Sequence, residues 1–112
     1  MKLTGKCKQS FEKWYNYNYC GNDGCEINYN SFLLLNSSFQ YGVYVDFFDS
    51  VGISVDIQPV LDYNEKHYTK FWYFLVNVNM FNKDIDYSHI KSSSRQKARE
   101  KAIEKANEIF NY

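Results

Sequence analysis

All three alanines of this 112-residue chain fall in one stretch, at positions 98, 102 and 106. Four-residue spacing lines them up on one face of an α-helix, each one turn above the last. Ile103, Ile109 and Phe110 flank the stripe, while Lys97 with Glu100, Lys101 with Glu104 and Lys105 with Glu108 form i, i+3 pairs on the opposite, solvated face. The pattern predicts a helix over residues 94–110, with Ser94 as its cap. A stripe of methyl groups brings the helix backbone close to whatever it covers. The chain must therefore offer this helix a flat apolar surface, and a small sheet supplies one.

Strand patterns lie directly upstream. Ile53, Val55 and Ile57 alternate with Ser54, Asp56 and Gln58, a half-buried strand ended by Pro59. Residues 71–81 set Trp72, Phe74, Val76, Val78 and Met80 against Tyr73, Leu75, Asn77 and Asn79, a second and longer strand. Residues 62–68 read as a polar connection, so the two strands are expected to pair as an antiparallel hairpin with a wide loop. Residues 82–91 read as polar and irregular. Because two strands rarely suffice alone, a third from residues 27–35, or dimerisation through a sheet edge, is expected.

Two helices are expected ahead of the strands. Phe11, Trp14 and Tyr15 share a face at i, i+3, i+4, which predicts a helix over residues 6–17. Residues 18–31 show no period and read as an ordered loop; residues 32–35 are an apolar run too short to assign. Residues 39–51 are rich in β-formers, yet the helical period sorts them better than a period of two. Gly42, Asp46, Asp49 and Ser50 gather in one arc, with Phe39 stranded on that polar side and Gln40 on the apolar side. Ser37 or Ser38 can cap the start, and Gly52 stands where a left-handed residue ends a helix. The expectation is one α+β domain over residues 1–112: a small antiparallel sheet, a C-terminal helix packed across it, and two N-terminal helices.

Composition sets the outer limits. With 45% hydrophobic and 23% charged residues, the chain has the make-up of a globular domain. A domain of this size buries about 65% of its unfolded surface, which needs no disulfide staples. Thirteen basic residues against thirteen acidic ones disfavour a strong electrostatic grip on nucleic acid or an anionic membrane. No apolar run approaches the roughly 20 residues of a membrane span, and the N-terminus shows no signal peptide, so a cytoplasmic protein is expected. Aromatics reach 20%, with 12 Asn and 11 Lys against 2 Arg and 1 Pro. An AT-rich coding sequence accounts for the skew, and a Tyr- and Asn-rich contact surface is compatible with it.

Little of this points to chemistry. Cys7, Cys20 and Cys25 are expected to be reduced structural thiols: Cys20 and Cys25 flank a Gly-Asn-Asp-Gly turn, and His67 and His89 stand too far off to complete a metal set. No phosphate loop, nucleophile elbow or metalloprotease motif is present, and Asp84 and Asp86 read as loop carboxylates as readily as an acid–base pair. The expectation is no enzyme, no cofactor and no metal. The two arginines, Arg95 and Arg99, are one turn apart and emerge inside the Ala/Ile arc. They are expected either to pair with Asp46 and Asp49 or to present a guanidinium fork to an anionic ligand or partner carboxylate. Residues 71–81 carry no charge and have large side chains on both faces, so Trp72, Tyr73 and Leu75 are candidates for a self-association or partner interface by edge pairing or face burial. Aromatics on a small sheet also keep a nucleotide- or nucleic-acid-binding module as the alternative.

Two segments resemble a family of small phage and prophage proteins of no assigned activity: SFQYGVYVDFFDSVGI at residues 38–53 and RQKAREKAIEKANEI at residues 95–109. Phe11-Glu12-Lys13-Trp14-Tyr15 is similar to the opening such proteins show, and together these cover about a third of the chain. The family-like start of the last helix is a capping box; here Ser94 keeps the cap, but Lys97 replaces the acid that completes it. The resemblance implies a phage-encoded accessory protein in the host cytoplasm, acting stoichiometrically on a host or defence protein, as anti-CRISPR proteins do.

Overall fold

In the computed structural model, residues 1–20, 28–64, 67–80, 83–92 and 94–112 are described. Helix α1 (Gly5–Tyr15) runs on into a π-helical turn (Asn16–Cys20), followed by the single-turn α2 (Tyr29–Phe32) and by α3 (Ser37–Ser50). Strands β1 (Ile53–Asn64), β2 (His67–Met80) and β3 (Lys83–Ser92) come next, and α4 (Arg95–Asn111) closes the chain. The class is α+β.

The helix ends follow side-chain chemistry. Asn36 caps α3, its side chain accepting the Ser38 N–H at 2.8 Å, one residue earlier than expected. Gly52 takes φ +83° just past the end of α3, a left-handed conformation that glycine adopts without strain. Ser94 accepts the Lys97 N–H at 3.1 Å, so half of the capping box forms without its acid. Asn28 caps α2 through the Asn30 N–H, and this corrects the expectation of a third strand at residues 27–35: residues 29–32 are helical.

The third strand is instead β3, drawn from the stretch read as irregular. The strand order is β1-β2-β3, with both pairs antiparallel. In register, Ile85, Tyr87 and His89 share a face with Val78, Val76 and Phe74, while Asp84, Asp86 and Ser88 share the other. An edge strand that carries Lys83, Asp84, Asp86, Ser88 and Lys91 gives a weak hydrophobic signal, which is why its alternation is easy to miss. Residues 62–64 and 67–68, read as a connection, are paired strand as well. β1 and β2 continue together past the end of β3, which stops opposite Trp72. Burial fades toward that extension: Ile53 and Val55 are buried, Ile57 is half-buried and Pro59 exposed. The radius of gyration, 15.8 Å, exceeds the roughly 13 Å of a compact chain this long.

The core sits between the helices and the proximal end of the sheet. Phe11 is its centre, with ring centroids of Tyr29, Phe32, Tyr44 and Phe47 at 5.7, 5.1, 5.1 and 5.4 Å. Ala98, Ala102 and Ala106 are fully buried where α4 lies against the sheet. Two polar networks fasten the N-terminus into this assembly. Leu3 N–H donates to Tyr29 Oη at 2.7 Å, Tyr29 Oη lies 2.6 Å from Tyr44 Oη, and Tyr44 Oη donates to Met1 O at 2.8 Å. Since the Tyr44 proton goes to Met1, Tyr29 is the donor between the two hydroxyls. On the other side, Thr4 does not cap α1 with its own side chain. Asn111 Oδ1 accepts the Cys7 N–H and Asn107 Oδ1 the Thr4 N–H, both at 2.9 Å, so α4 caps α1 from more than a hundred residues away.

Candidate functional site

Helix α3 has two unlike sides. Val43, Tyr44, Phe47 and Phe48 are buried, as is Gln40, whose amide donates to the carbonyls of Leu33 and Leu35 at 3.0 and 2.7 Å. That misplaced glutamine closes the turn after α2. On the opposite side Phe39, Gly42, Asp46 and Asp49 are all exposed. Their spacing of three, four and three residues makes one straight stripe about 15 Å long.

An open groove of about 520 Å³ runs beside this stripe, lined by Tyr19, Ser38, Phe39, Tyr41, Gly42 and Val45 among others. Its walls are held in place. Tyr19 stacks on Tyr15 at 4.8 Å and meets Trp14 edge-on at 5.8 Å, which fixes its ring although it is 47% exposed. Tyr41 lies under the Arg99 guanidinium, 5.0 Å from ring centroid to Cζ. Burial raises the Tyr41 pKa, Asp56 adds to the rise and Arg99 opposes it, so the phenol stays neutral. At the far end, Asp49 is raised from the ordinary carboxylate value by desolvation and by the negative charge of Asp46. Neither aspartate has a cation within ion-pair distance among the described residues, where the ion pairs are Lys8–Glu12 and Lys105–Glu108.

The expected ion pair is therefore corrected. Arg99 is half-buried, but its Nη1 donates to Ser38 Oγ at 3.2 Å and its face covers Tyr41; it does not meet Asp46 or Asp49. Ser38 and Tyr41 belong to the first half of α3, whereas the aspartates lie toward its C-terminal end. Arg95 is exposed at the start of α4. The strand candidates are split by the register: Trp72 pairs with Pro59 and shares the face of Ile57 and Val55, while Tyr73 and Leu75 pair with Gln58 and Asp56 on the other face. Edge pairing through this strand is also corrected, because β2 is the central strand, paired with β1 as far as Val78 and with β3 from Trp72 to Met80. The side chains of Trp72, Tyr73 and Leu75 lie outside the described residues.

No arrangement for bond chemistry stands out among the described residues. Cys7 is fully buried, and desolvation pushes its thiol up to about 12, the opposite of a nucleophile or metal ligand. No group of three His, Cys, Asp or Glu side chains gathers there to hold a metal, and no helix there is long and apolar enough to cross a membrane. The thiols of Cys20 and Cys25 and the imidazoles of His67 and His89 lie outside the described residues. No protein-family model, no curated protein and no solved structure matches the chain.

What sequence reasoning missed is the use of its own exceptions. Phe39 was the one aromatic on the polar side of the α3 wheel, and Gly42 sat beside it. Both mark the exposed stripe.

Proposed function

We propose that this α+β domain, with its C-terminal helix across a small antiparallel sheet and two helices ahead of it, works without catalysis by binding another protein through the outer side of α3. The observation that carries this reading is the exposed apolar surface around the start of α3. Phe39 is 47% exposed beside Tyr19, and Leu34 and Leu35 are exposed in the turn just before it. Single exposed apolar residues are ordinary, but Phe39 and Tyr19 line one groove and Leu34 and Leu35 lie exposed in the turn that leads to it, a grouping that supports a contact surface. Together with the resemblance of residues 38–53 and 95–109 to phage proteins, this supports a phage- or prophage-encoded accessory protein in the host cytoplasm that binds a host or defence protein, an anti-CRISPR-like inhibitor being one such form.

The alternative of a nucleotide- or nucleic-acid-binding module draws less support. Register puts Asp56, Asp84 and Asp86 together on the outer face of the sheet, the surface that would have to meet phosphates. Affinity purification from host lysate separates the two readings. Tagged wild-type protein should retain one stoichiometric protein through nuclease treatment, and Phe39→Asp should lose it. Recovery of nucleic acid, or equal recovery by the variant, would overturn the reading.

A further inference from the structure

Gly42 is a glycine without an internal reason. It lies in the middle of a fourteen-residue helix, and a Cβ built on it would meet nothing within 4 Å. It has no positive φ to require glycine, which only Gly5 and Gly52 do among the described residues. A mid-helix glycine is nevertheless costly relative to alanine. What a bare backbone at that point does permit is close approach from outside, as where two helices cross. On either side of Gly42 along the stripe the surface changes character. Toward the N-terminal end lie Phe39 and the groove walls Tyr19 and Tyr41; toward the C-terminal end lie Asp46 and Asp49, which no lysine or arginine of the described chain neutralises. Acids also sit unfavourably near a helix C-terminus, where the dipole is negative, and α3 has no basic residue in its last turn.

We propose that the occupant of this face is an α-helix of a partner protein, crossing α3 at Gly42, with an apolar side chain in the Phe39 groove and Lys or Arg opposite Asp46 and Asp49. This deepens the protein-binding reading and rests on it. The bare crossing point sets how near the partner's axis comes, and the charge of Asp46 and Asp49 fixes its orientation.

The test titrates the full chain, labelled with ¹⁵N, with an amphipathic helical peptide of Ala, Leu and Lys about 18 residues long. A peptide with Glu in place of Lys serves as the control. Amide shifts should concentrate at Phe39, Gly42, Val45 and Asp46 with the Lys peptide and be absent with the Glu peptide. Gly42→Ala should raise the melting temperature by about 3–6 °C while weakening the Lys peptide about tenfold or more. Gain in stability with loss of binding is a pair of effects that a purely structural glycine does not give. Absent shifts, equal response to both peptides, or shifts on the sheet face would overturn the proposal. So would a concentration-dependent dimer that Gly42→Leu disperses, since the occupant would then be a second copy of this chain. If the peptide fails while Phe39→Asp still loses its protein partner, the binding reading stands and the helix proposal falls. If Phe39→Asp loses nothing, the binding reading itself falls.

Discussion

The inner and outer sides of α3 obey different rules. On the inner side every buried hydroxyl and amide is partnered: Tyr44 lies in a chain of hydrogen bonds from Leu3 to Met1, and Gln40 holds two carbonyls. Phe47 touches the rings of Phe11, Trp14, Phe48 and Phe110 within 6 Å. On the outer side the same helix carries an exposed phenylalanine, a central glycine and, at its negative end, two nearby acids that have no ion-pair partner among the described residues. The glycine and the acids cost the isolated helix stability, whereas the inner contacts hold the core together. Stability explains one side only, and the external contact proposed above would account for the other.

The largest test breaks the inner side. Phe47→Ala removes a ring from the centre of a dense aromatic cluster, and the cavity it leaves should cost about 3–5 kcal/mol. A domain of this size has about 5–15 kcal/mol in total. Urea denaturation should show this loss as a lower midpoint with little change of slope. A loss below about 1 kcal/mol would mean that the cluster is far looser than its ring distances imply.

Alkali attacks the same side more gradually. Burial pushes the Cys7 thiol up from its ordinary 9.0 to about 12, and Tyr29 and Tyr44 are raised too, chiefly by burial. A neutral acid whose pKa is higher when folded holds its proton more tightly in the native state. Its contribution is complete below the unfolded pKa and is lost as pH climbs toward the folded one. Stability should be flat up to about pH 9 and then fall by about 1.4 kcal/mol per pH unit for each such group. Cys7→Ala should flatten the first part of that fall. Denaturation midpoints between neutral pH and pH 11 measure both.

The two sides also differed in how well the sequence disclosed them. The inner side follows from periodicity: the arc of Val43, Tyr44, Phe47 and Phe48 is where the helical wheel places it, and the alanine stripe of α4 packs as its spacing requires. β3 was obscured because Lys83, Asp84 and Asp86 dilute an alternation that only its pairing with β2 makes plain. Trans-capping of α1 by Asn107 and Asn111 leaves no local trace, since the partners are separated by over a hundred residues. The outer stripe was half visible. Its members stood in the polar arc, where a phenylalanine is the anomaly, but a wheel does not say whether that arc faces solvent or another part of the chain.

Arg99 tests where the two sides meet. Its guanidinium spans from α4 to Ser38 and Tyr41 at the upper end of the groove. The hydrogen bond is exposed and the ring contact partly so, which limits their joint worth to about 1 kcal/mol or less. Arg99→Ala should lower stability by that amount while loosening Tyr41. A loss of about 3 kcal/mol would indicate a buried ionic partner after all. Thermal melts together with the Tyr41 ring resonances report the two effects separately.

The smallest effect has the opposite sign and sharpens the contrast most. Asp49 lies in the last turn of α3, three residues from Asp46, with no cation in ion-pair distance among the described residues, and its carboxyl is raised by desolvation and by that neighbour's charge. An acid whose pKa is raised in the folded state is a net burden once ionised, relieved as pH falls and the group takes up its proton. Neutralising it should therefore help. Asp49→Asn should stabilise the free domain by about 0.3–0.5 kcal/mol at neutral pH, the usual size of a surface dipole or like-charge term. The gain should shrink in high salt, because the repulsion it removes is screened there, and it should vanish below the carboxylate's own titration. Matched denaturation curves at two salt concentrations and two pH values measure all three features. A destabilisation on Asp49→Asn would show that the aspartate does structural work within the chain, and the outer side of α3 would then be part of the same bargain as the inner one.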